Sequence, residues 1–186
     1  TAQKELTLPA LWSETSFEPS EADVYRGSFG KNEFIYMASA AQTRAYEIVK
    51  GYVKLSQYSD GGRETIVAIL KPGDMLGNLS PAENYALEHA QALTKVELKV
   101  FESSIFKRAI RHNPSFVLKV LAEQQKRNSQ LQRQIAALAF WDVSERLQHF
   151  LLFMGKEFGK MHDQTAFLDS FLTHHDISLI NQTSRQ

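Results

Sequence analysis

Cysteine is absent from this chain of 186 residues. Its absence excludes disulfide frameworks, thiolate nucleophiles, cysteine-type zinc sites and iron–sulfur clusters held by thiolates. The sequence also lacks an apolar run long enough to cross a bilayer, and its opening, TAQKELTLPALW, lacks the basic-then-apolar order of a signal peptide. We therefore expect a cytoplasmic protein with no membrane partner and no bound metal.

An excess of either charge is also missing, because 21 Lys and Arg residues balance 21 Asp and Glu residues. The whole molecule therefore has no long-range attraction to phosphate, and binding to nucleic acid would depend on a local basic patch. The length, with 43% hydrophobic residues, suits one large domain or one medium and one small domain.

Up to about residue 101 the chain consists of short β-type runs separated by turn signals. SDGG at 59–62 is a hairpin signal between two runs, and KPGD at 71–74 is a further turn. This pattern predicts an antiparallel sandwich or barrel. The stretch GNLSPAENYALEHAQAL, which starts at Gly77, predicts a short helix in its middle. The β-type runs are FIYM, AYEIVKGYVKLSQY, ETIVAIL and KVELKVF.

A long helix is predicted from Asn113, as N-cap, with Pro114 at the first helical position and no breaker until about Phe140. One stripe along it has the alternating four-and-three spacing of a coiled-coil seam, which favours a homodimer. The alternative is a single amphipathic helix on its own domain, but Gln124 and Asn128 are unfavourable in a monomer core. The stripe consists of Val117, Leu121, Gln124, Asn128, Leu131, Ile135 and Leu138.

A third region is helical. Phe140 and Trp141 mark a joint, after which Asp142 and Glu145 predict the capped start of a new helix. The apolar face of that helix is predicted to consist of Val143, Leu147, Phe150, Leu151 and Met154.

Near the end, Thr173 can cap a short helix with Asp176 in its first turn, and Ser184 is again an N-cap residue after a tight turn. Because only two residues follow Ser184, we expect the second helix of this pair to be truncated. The basic residues on and before the long helix, which include Lys119, Lys126 and Arg127, are expected to form solvated helix faces.

These regions, in this order, resemble the Crp/Fnr superfamily of bacterial transcription factors, named for the cyclic-AMP receptor protein and the fumarate-nitrate regulator. The resemblance covers nearly the whole chain. It implies an α+β fold with a jelly-roll, cyclic-nucleotide-binding-like β-roll over residues 1–112, a dimerisation helix over 113–139 and a winged helix-turn-helix over 140–186. The matching segments are YEIVKGYVKL, DGGRETIVAILKPGDMLG, ALTKVELKVF, LAFWDVSERLQHFLLFMGKEFG and LTHHDISLINQTSRQ.

The resemblance also implies roles for residues of the third region. In helix-turn-helix proteins the second helix enters the major groove, where Arg pairs with guanine and Gln with adenine. The resemblance therefore implies that Thr173, Ser184, Arg185 and Gln186 bind DNA. It also implies a hinge at Phe140, Trp141 and Asp142. Gln182 stands where many such turns have Gly in a left-handed conformation, so we expect some strain there. Double-stranded DNA with a pseudo-palindromic site and RNA polymerase are the implied partners.

The effector region departs from the cyclic-nucleotide pattern, in which a Gly-Glu turn and a later Arg-Ser pair hold the nucleotide. Here the turn reads Gly77–Asn78, and no Arg occurs between Arg63 and Arg108. Cyclic AMP is therefore an unfavourable ligand, since a buried phosphate needs a compensating cation. We expect either no effector or an unidentified small ligand. The pocket implied by the resemblance contains Gly77, Asn78, Leu79 and His89.

Three functions are compatible with the sequence, and the resemblance favours the first, a homodimeric DNA-binding regulator. A cupin-like metalloenzyme is disfavoured because the β region offers one histidine, His89. His89 is also less favoured as a haem ligand than as a half-exposed histidine on a short helix. A ligand-sensing or protein-interaction dimer that does not bind DNA is the remaining alternative. Cofactors are not expected.

Overall fold

The structure is a computed structural model that describes residues 23–39, 43–79, 86–162, 165–167 and 170–183. The strands are β1 (Val24–Phe29), β2 (Phe34–Tyr36), β3 (Ala45–Lys50), β4 (Val53–Tyr58), β5 (Glu64–Leu70), β6 (Met75–Gly77), β7 (His89–Ala92), β8 (Val96–Phe101), β9 (Lys160–His162) and β10 (Thr165–Phe167). The helices are α1 (Ser103–His112), α2 (Pro114–Phe140), α3 (Val143–Phe158) and α4 (His174–Asn181).

The first eight strands form two four-stranded antiparallel sheets, with the orders β1-β8-β3-β6 and β2-β7-β4-β5. We call this unit the roll. Side chains of both sheets form one apolar core, as the alternating sequence pattern requires when one face of each strand is buried. The prediction of an antiparallel sandwich is confirmed. Fully buried members of the core include Ile48, Leu55, Leu76, Val96 and Leu98.

The predicted turns of the roll are confirmed. Residues 59–62 connect β4 to β5, and the turn is closed by the Gly62 N–H, which donates to the Ser59 carbonyl at 2.8 Å. Gly73 lies in the KPGD turn between β5 and β6 with a φ of 93°.

The short helix predicted within the stretch from Gly77 has its middle, residues 80–85, outside the described residues. The end of that stretch is strand β7, so His89 lies on a strand and not on a helix. The error has a physical cause: pairing with β2 and β4 on both sides of β7 outweighs the helix propensity of the local sequence.

The long helix begins where the sequence predicted. The Asn113 side chain accepts a hydrogen bond from the Phe116 N–H at 2.9 Å, Pro114 follows at the first position, and α2 ends at Phe140. Near its N-terminus α2 packs with α1 against the roll through an apolar cluster. The buried members of that cluster are Ala45, Met75, Leu79, Phe101, Phe106 and Val120.

Both predicted capping pairs of the third region are also confirmed. Asp142 and Glu145 form a capping box at the start of α3, and Thr173 and Asp176 form one at the start of α4. The β9–β10 hairpin between the two helices was not predicted from the sequence. We call the described residues from Asp142 to Thr183 the head.

The predicted apolar face of α3 is divided in the structure. Met154 is buried and Phe150 is half-buried against the roll, whereas Val143, Leu147 and Leu151 are exposed. Of the predicted apolar face, only Phe150 and Met154 therefore pack into the apolar cluster shared with the roll.

Candidate functional site

The predicted seam lies on the outward face of α2. Val117 is half-buried, and the other six predicted residues, Leu121, Gln124, Asn128, Leu131, Ile135 and Leu138, are exposed. Ile135 is 68% exposed, although an isoleucine is normally among the most buried residues. The face that packs on the roll is a different one, with Val120 at its centre. The stripe is therefore not the face by which α2 contacts its own domain.

Polar contacts also attach α2 to the roll. Lys119 forms an ion pair with Glu47 at 2.7 Å, and Lys126 forms one with Asp74 at 2.6 Å. Arg127 Nη2 donates to the Met75 carbonyl at 2.7 Å. The expectation of solvated helix faces was wrong for Lys126 and Arg127, which are half-buried against distant strands and turns, whereas Lys119 is exposed as expected.

The predicted hinge is the short connection between α2 and α3. Phe140 is the last residue of α2 and is 82% exposed, Trp141 caps that helix, and Asp142 caps the next one. The Trp141 ring stacks on His149 with centroids 3.9 Å apart.

Arg146 connects this hinge to the end of α4, a role that the sequence did not reveal. Its Nη1 donates to the Trp141 carbonyl at 2.9 Å, and its Nε donates to the Asn181 carbonyl at 3.2 Å. One guanidinium thus satisfies two helix-terminal carbonyls that have no partner within their own helix.

The turn after α4 has the predicted backbone conformation. Gln182 lies in the left-handed region with φ 49° and ψ 50°, which costs a non-glycine residue about 1–2 kcal/mol. Thr183 then donates its N–H to the Ser178 carbonyl at 3.0 Å, which closes the turn. Thr173 is exposed at the other end of α4. The predicted residues Ser184, Arg185 and Gln186 lie outside the described residues.

A buried ionic group joins the head to the roll. The Lys54 ammonium on β4 lies 3.0 Å from Glu64 of β5 and 3.3 Å from Asp176 of α4. Burial by itself would raise the pKa of Asp176, but hydrogen bonds from Thr173 and the charge of Lys54 outweigh it and lower that pKa below its ordinary value. This favours the ionised carboxylate in the docked head.

The predicted effector turn at Gly77 and Asn78 is hydrogen-bonded to other parts of the roll. The Gly77 N–H donates to the Tyr36 hydroxyl at 3.1 Å, and the Tyr36 hydroxyl donates to Glu88 at 3.5 Å. Tyr36 stacks on Tyr46, and burial raises the pKa of Tyr36 well above its ordinary value. The Asn78 N–H donates to the Arg44 carbonyl at 2.9 Å.

Gly77 is required at this turn, since its φ is 85° and an added Cβ would lie 2.5 Å from the Arg44 carbonyl oxygen. Asn78 and Leu79, the other two predicted residues of the turn, are buried.

The fourth predicted pocket residue, His89, contacts aromatic rings. Its ring lies edge-on to Tyr58 and Phe34, with centroids 4.9 and 6.1 Å away, and its buried Nδ1 has no hydrogen-bond partner among the described residues. Within the described ranges, no group of three His, Asp or Glu residues is arranged to bind a metal. None of the helices described has the length and apolarity needed to cross a membrane.

Comparison with known proteins adds sequence relatives. Residues 26–113 match the family of cyclic nucleotide-binding domains. The global nitrogen regulator of a Nostoc species is 30% identical over 154 residues, which cover 81% of this chain and 69% of that protein. The cAMP-activated global transcriptional regulator CRP of Escherichia coli is 30% identical over 129 residues, covering 68% of this chain and 61% of that protein.

Solved structures share the fold. FixK2 from Bradyrhizobium japonicum superposes with a TM-score of 0.75 at 20% identity, covering 87% of this chain and 78% of that one. The c-di-GMP-responsive regulator CLP of Xanthomonas campestris gives 0.76 at 18% identity, covering 88% and 82%. The roll, the long helix and the capped helices of the head, together with these relatives, identify the chain as a member of the Crp/Fnr family of transcription regulators, not as an enzyme.

Proposed function

We propose that this chain is a sequence-specific DNA-binding transcription regulator that acts as a homodimer and does not require cyclic AMP. The observation that carries the DNA-binding part is the geometry of α3, α4 and the left-handed turn at Gln182. In a member of this regulator family, that arrangement is the scaffold on which a recognition helix is placed in the major groove.

Within this proposal the DNA-contacting residues are those at the two ends of α4. Thr173 lies exposed at the N-terminus, where a helix-turn-helix scaffold crosses the DNA backbone. Ser184 would cap the recognition helix, and Arg185 and Gln186 would pair with guanine and adenine. Contact with RNA polymerase and action in the cytoplasm belong to the same proposal.

The outward face of α2 supports the homodimer. Its exposed apolar residues follow a coiled-coil repeat, and burying them against a second copy would remove them from water. Asn128 within the stripe would fix the register of the pair. A two-fold dimer of this kind would place its two heads on half-sites about 34 Å apart, which predicts a pseudo-palindromic site. In this proposal residues 1–112 sense, 113–139 dimerise and 140–186 bind DNA, with the hinge at Phe140, Trp141 and Asp142.

Two features of the effector region support independence from cyclic AMP. The N–H groups of Gly77 and Asn78 are already bonded within the roll, and the Glu88 carboxylate contacts Tyr36 beside the turn. A cyclic phosphate placed there would meet a negative charge, and the sequence supplies no Arg between Arg63 and Arg108 to compensate it.

The test is selection of binding sites from random duplex DNA by the full-length protein with no effector added. We expect enrichment of a two-fold symmetric site. The affinity for this site should fall steeply as salt is added and should not change when cyclic AMP is added. Enrichment only in the presence of cyclic AMP would contradict the effector part.

The base-reading role is tested by Arg185→Ala, which should lose about 1–3 kcal/mol of discrimination at one base pair. Arg133→Ala, at an exposed position of α2, is the matched control. A full-length protein that selects no sequence, with or without small metabolites, would favour the alternative of a sensing or protein-interaction dimer that does not bind DNA.

A further inference from the structure

The head of this chain is docked on its own roll through a contact that the function proposed above does not use. Thr65 of β5 donates to the Leu179 carbonyl of α4 at 3.4 Å, next to the Lys54–Asp176 ion pair. Lys71 also donates to the Glu157 carboxylate of α3 at 2.8 Å. Around these contacts lies an apolar cluster from both parts. Its buried members are Ile66, Ile69 and Leu93 of the roll and Met154 and Phe171 of the head.

The docked contact contains buried apolar and aromatic side chains from both parts. Phe171 stacks on Tyr52 of the roll with centroids 4.1 Å apart, and Ile66 is 2% exposed. Domains joined by small polar contacts move relative to each other by default, whereas a sizeable apolar contact restrains that motion. The ion pair between Lys54 and Asp176 also restricts the orientation of α4, because Asp176 belongs to the capping box at the start of that helix.

Lys54 is the residue on which the charge balance of the contact depends. Its side chain is 9% exposed and lies between two carboxylates, one from the roll and one from the head. Without its ammonium group, Glu64 and Asp176 would be left as neighbouring buried negative charges, which is strongly unfavourable. Undocking the head would expose both carboxylates to water. The loss of Lys54 therefore acts on docking more than on the fold of the roll.

Docking leaves the DNA-facing end of α4 accessible. Thr173, His174 and His175 at the N-terminus are exposed, while Asp176 is buried toward the roll. The contact thus orients α4 without covering the end that faces the DNA backbone in helix-turn-helix complexes.

We propose that Lys54 is a positioning residue for DNA recognition. It holds α4 in one orientation relative to the roll, so that the head is oriented for DNA binding without an effector. This inference rests on the proposed DNA-binding function and identifies the contact through which the roll fixes the orientation of the head. If the head moved freely relative to the roll, a smaller fraction of molecules would have α4 in the orientation that binds DNA.

The test compares Lys54→Met with Lys50→Met, which removes an exposed lysine at the end of β3. Lys54→Met should bind the selected DNA at least about tenfold more weakly, because apparent affinity falls with the fraction of heads oriented for DNA binding. Amide hydrogen exchange in α4 should accelerate while exchange in β3 and β8 stays unchanged. Lys50→Met should behave as wild type in both measurements.

Two further variants keep the proposal open to refutation if Lys54→Met folds poorly. Thr65→Val removes only the hydrogen bond to the Leu179 carbonyl and should shift affinity and α4 exchange in the same direction by a smaller factor. Lys54→Arg keeps the charge and should retain most of the affinity. Unchanged DNA affinity in Lys54→Met and Thr65→Val would overturn the positioning role, and tighter binding would overturn it by showing that the docked head is inhibitory.

A failure of the proposed function has a different signature. If the wild-type protein selects no DNA sequence, the DNA-binding role is lost whatever the variants do. If the wild type selects a site and the exchange of α4 does not respond to Lys54→Met, only the positioning role is lost.

Discussion

The two long faces of α2 differ in chemistry. The inward face is attached to the roll at Lys119, Lys126 and Arg127, whose cationic groups meet two carboxylates and a carbonyl. The outward face exposes Leu121, Ile135 and other apolar side chains of the seam to solvent. One helix thus contacts its own domain through Val120 and these cationic side chains, and it presents a separate apolar stripe away from that domain.

This difference indicates how the two contacts respond to change. Polar contacts are directional and weaken in salt, so they orient α2 in addition to the apolar contact that it makes with the roll at Val120. Apolar contacts depend on the area removed from water and do not weaken in moderate salt. In the proposed homodimer, salt would therefore weaken the polar contacts between α2 and the roll but not the apolar contact between the two α2 helices.

The largest expected effect comes from placing a charge on the outward face. Ile135→Asp should convert the proposed dimer to monomer at micromolar concentration, because each copy would bury an unpaired carboxylate at a cost of several kcal/mol. Sedimentation equilibrium measures the change. Ala122→Asp adds the same charge at an exposed α2 position outside the seam and should remain dimeric. An Ile135→Asp protein with the wild-type mass in solution would show that the outward face is not the interface.

An effect of opposite sign is expected at the polar seam position Asn128. Asn128→Leu should stabilise the assembly by about 1.5–3 kcal/mol per buried leucine side chain, while loosening the restriction to a two-stranded register. Chemical crosslinking and sedimentation should then detect trimers or higher species beside the dimer. A weaker dimer in this variant would mean that Asn128 makes a specific contact which leucine cannot replace.

The sequence was informative wherever structure depends on residues a few positions apart. Asn113 with Phe116, Asp142 with Glu145 and Thr173 with Asp176 are all caps made within one turn, and each was predicted. The left-handed conformation of Gln182 was expected from the resemblance to helix-turn-helix proteins, whose turns often have Gly at this position.

What could not be predicted depends on contacts that are distant in sequence. Lys54 and Asp176 are separated by 122 positions, and neither residue indicates the other by its local pattern. Lys126 was expected to be solvated for the same reason. His89 was assigned to a helix because pairing of β7 with its neighbours cannot be inferred from four residues. The roles of Arg185 and Gln186 in base recognition remain predictions.

On the inward face, the larger effect is expected at Lys126. Lys126→Met would leave the Asp74 carboxylate, which is 7% exposed, with a hydrogen bond from the Lys71 N–H but without its cation. The free energy of unfolding should fall by about 1–3 kcal/mol, the cost of leaving a buried polar group undersatisfied. Urea denaturation measures it. Recovery of stability in the double variant Lys126→Met with Asp74→Asn would confirm that the cost comes from the unpaired carboxylate.

The smallest effect is expected at Lys119, although its ion pair with Glu47 is nearly as short. Lys119 is 42% exposed, and Glu47 keeps a second cation, Lys99, at 3.8 Å when Lys119 is removed. Lys119→Met should therefore cost only about 0.2–1 kcal/mol at low salt, as for other exposed pairs. The difference from wild type should vanish in 1 M sodium chloride, where charges are screened within about 3 Å. A loss as large as that of Lys126→Met, or one that persists in high salt, would mean that burial does not determine the strength of the polar contacts on this face.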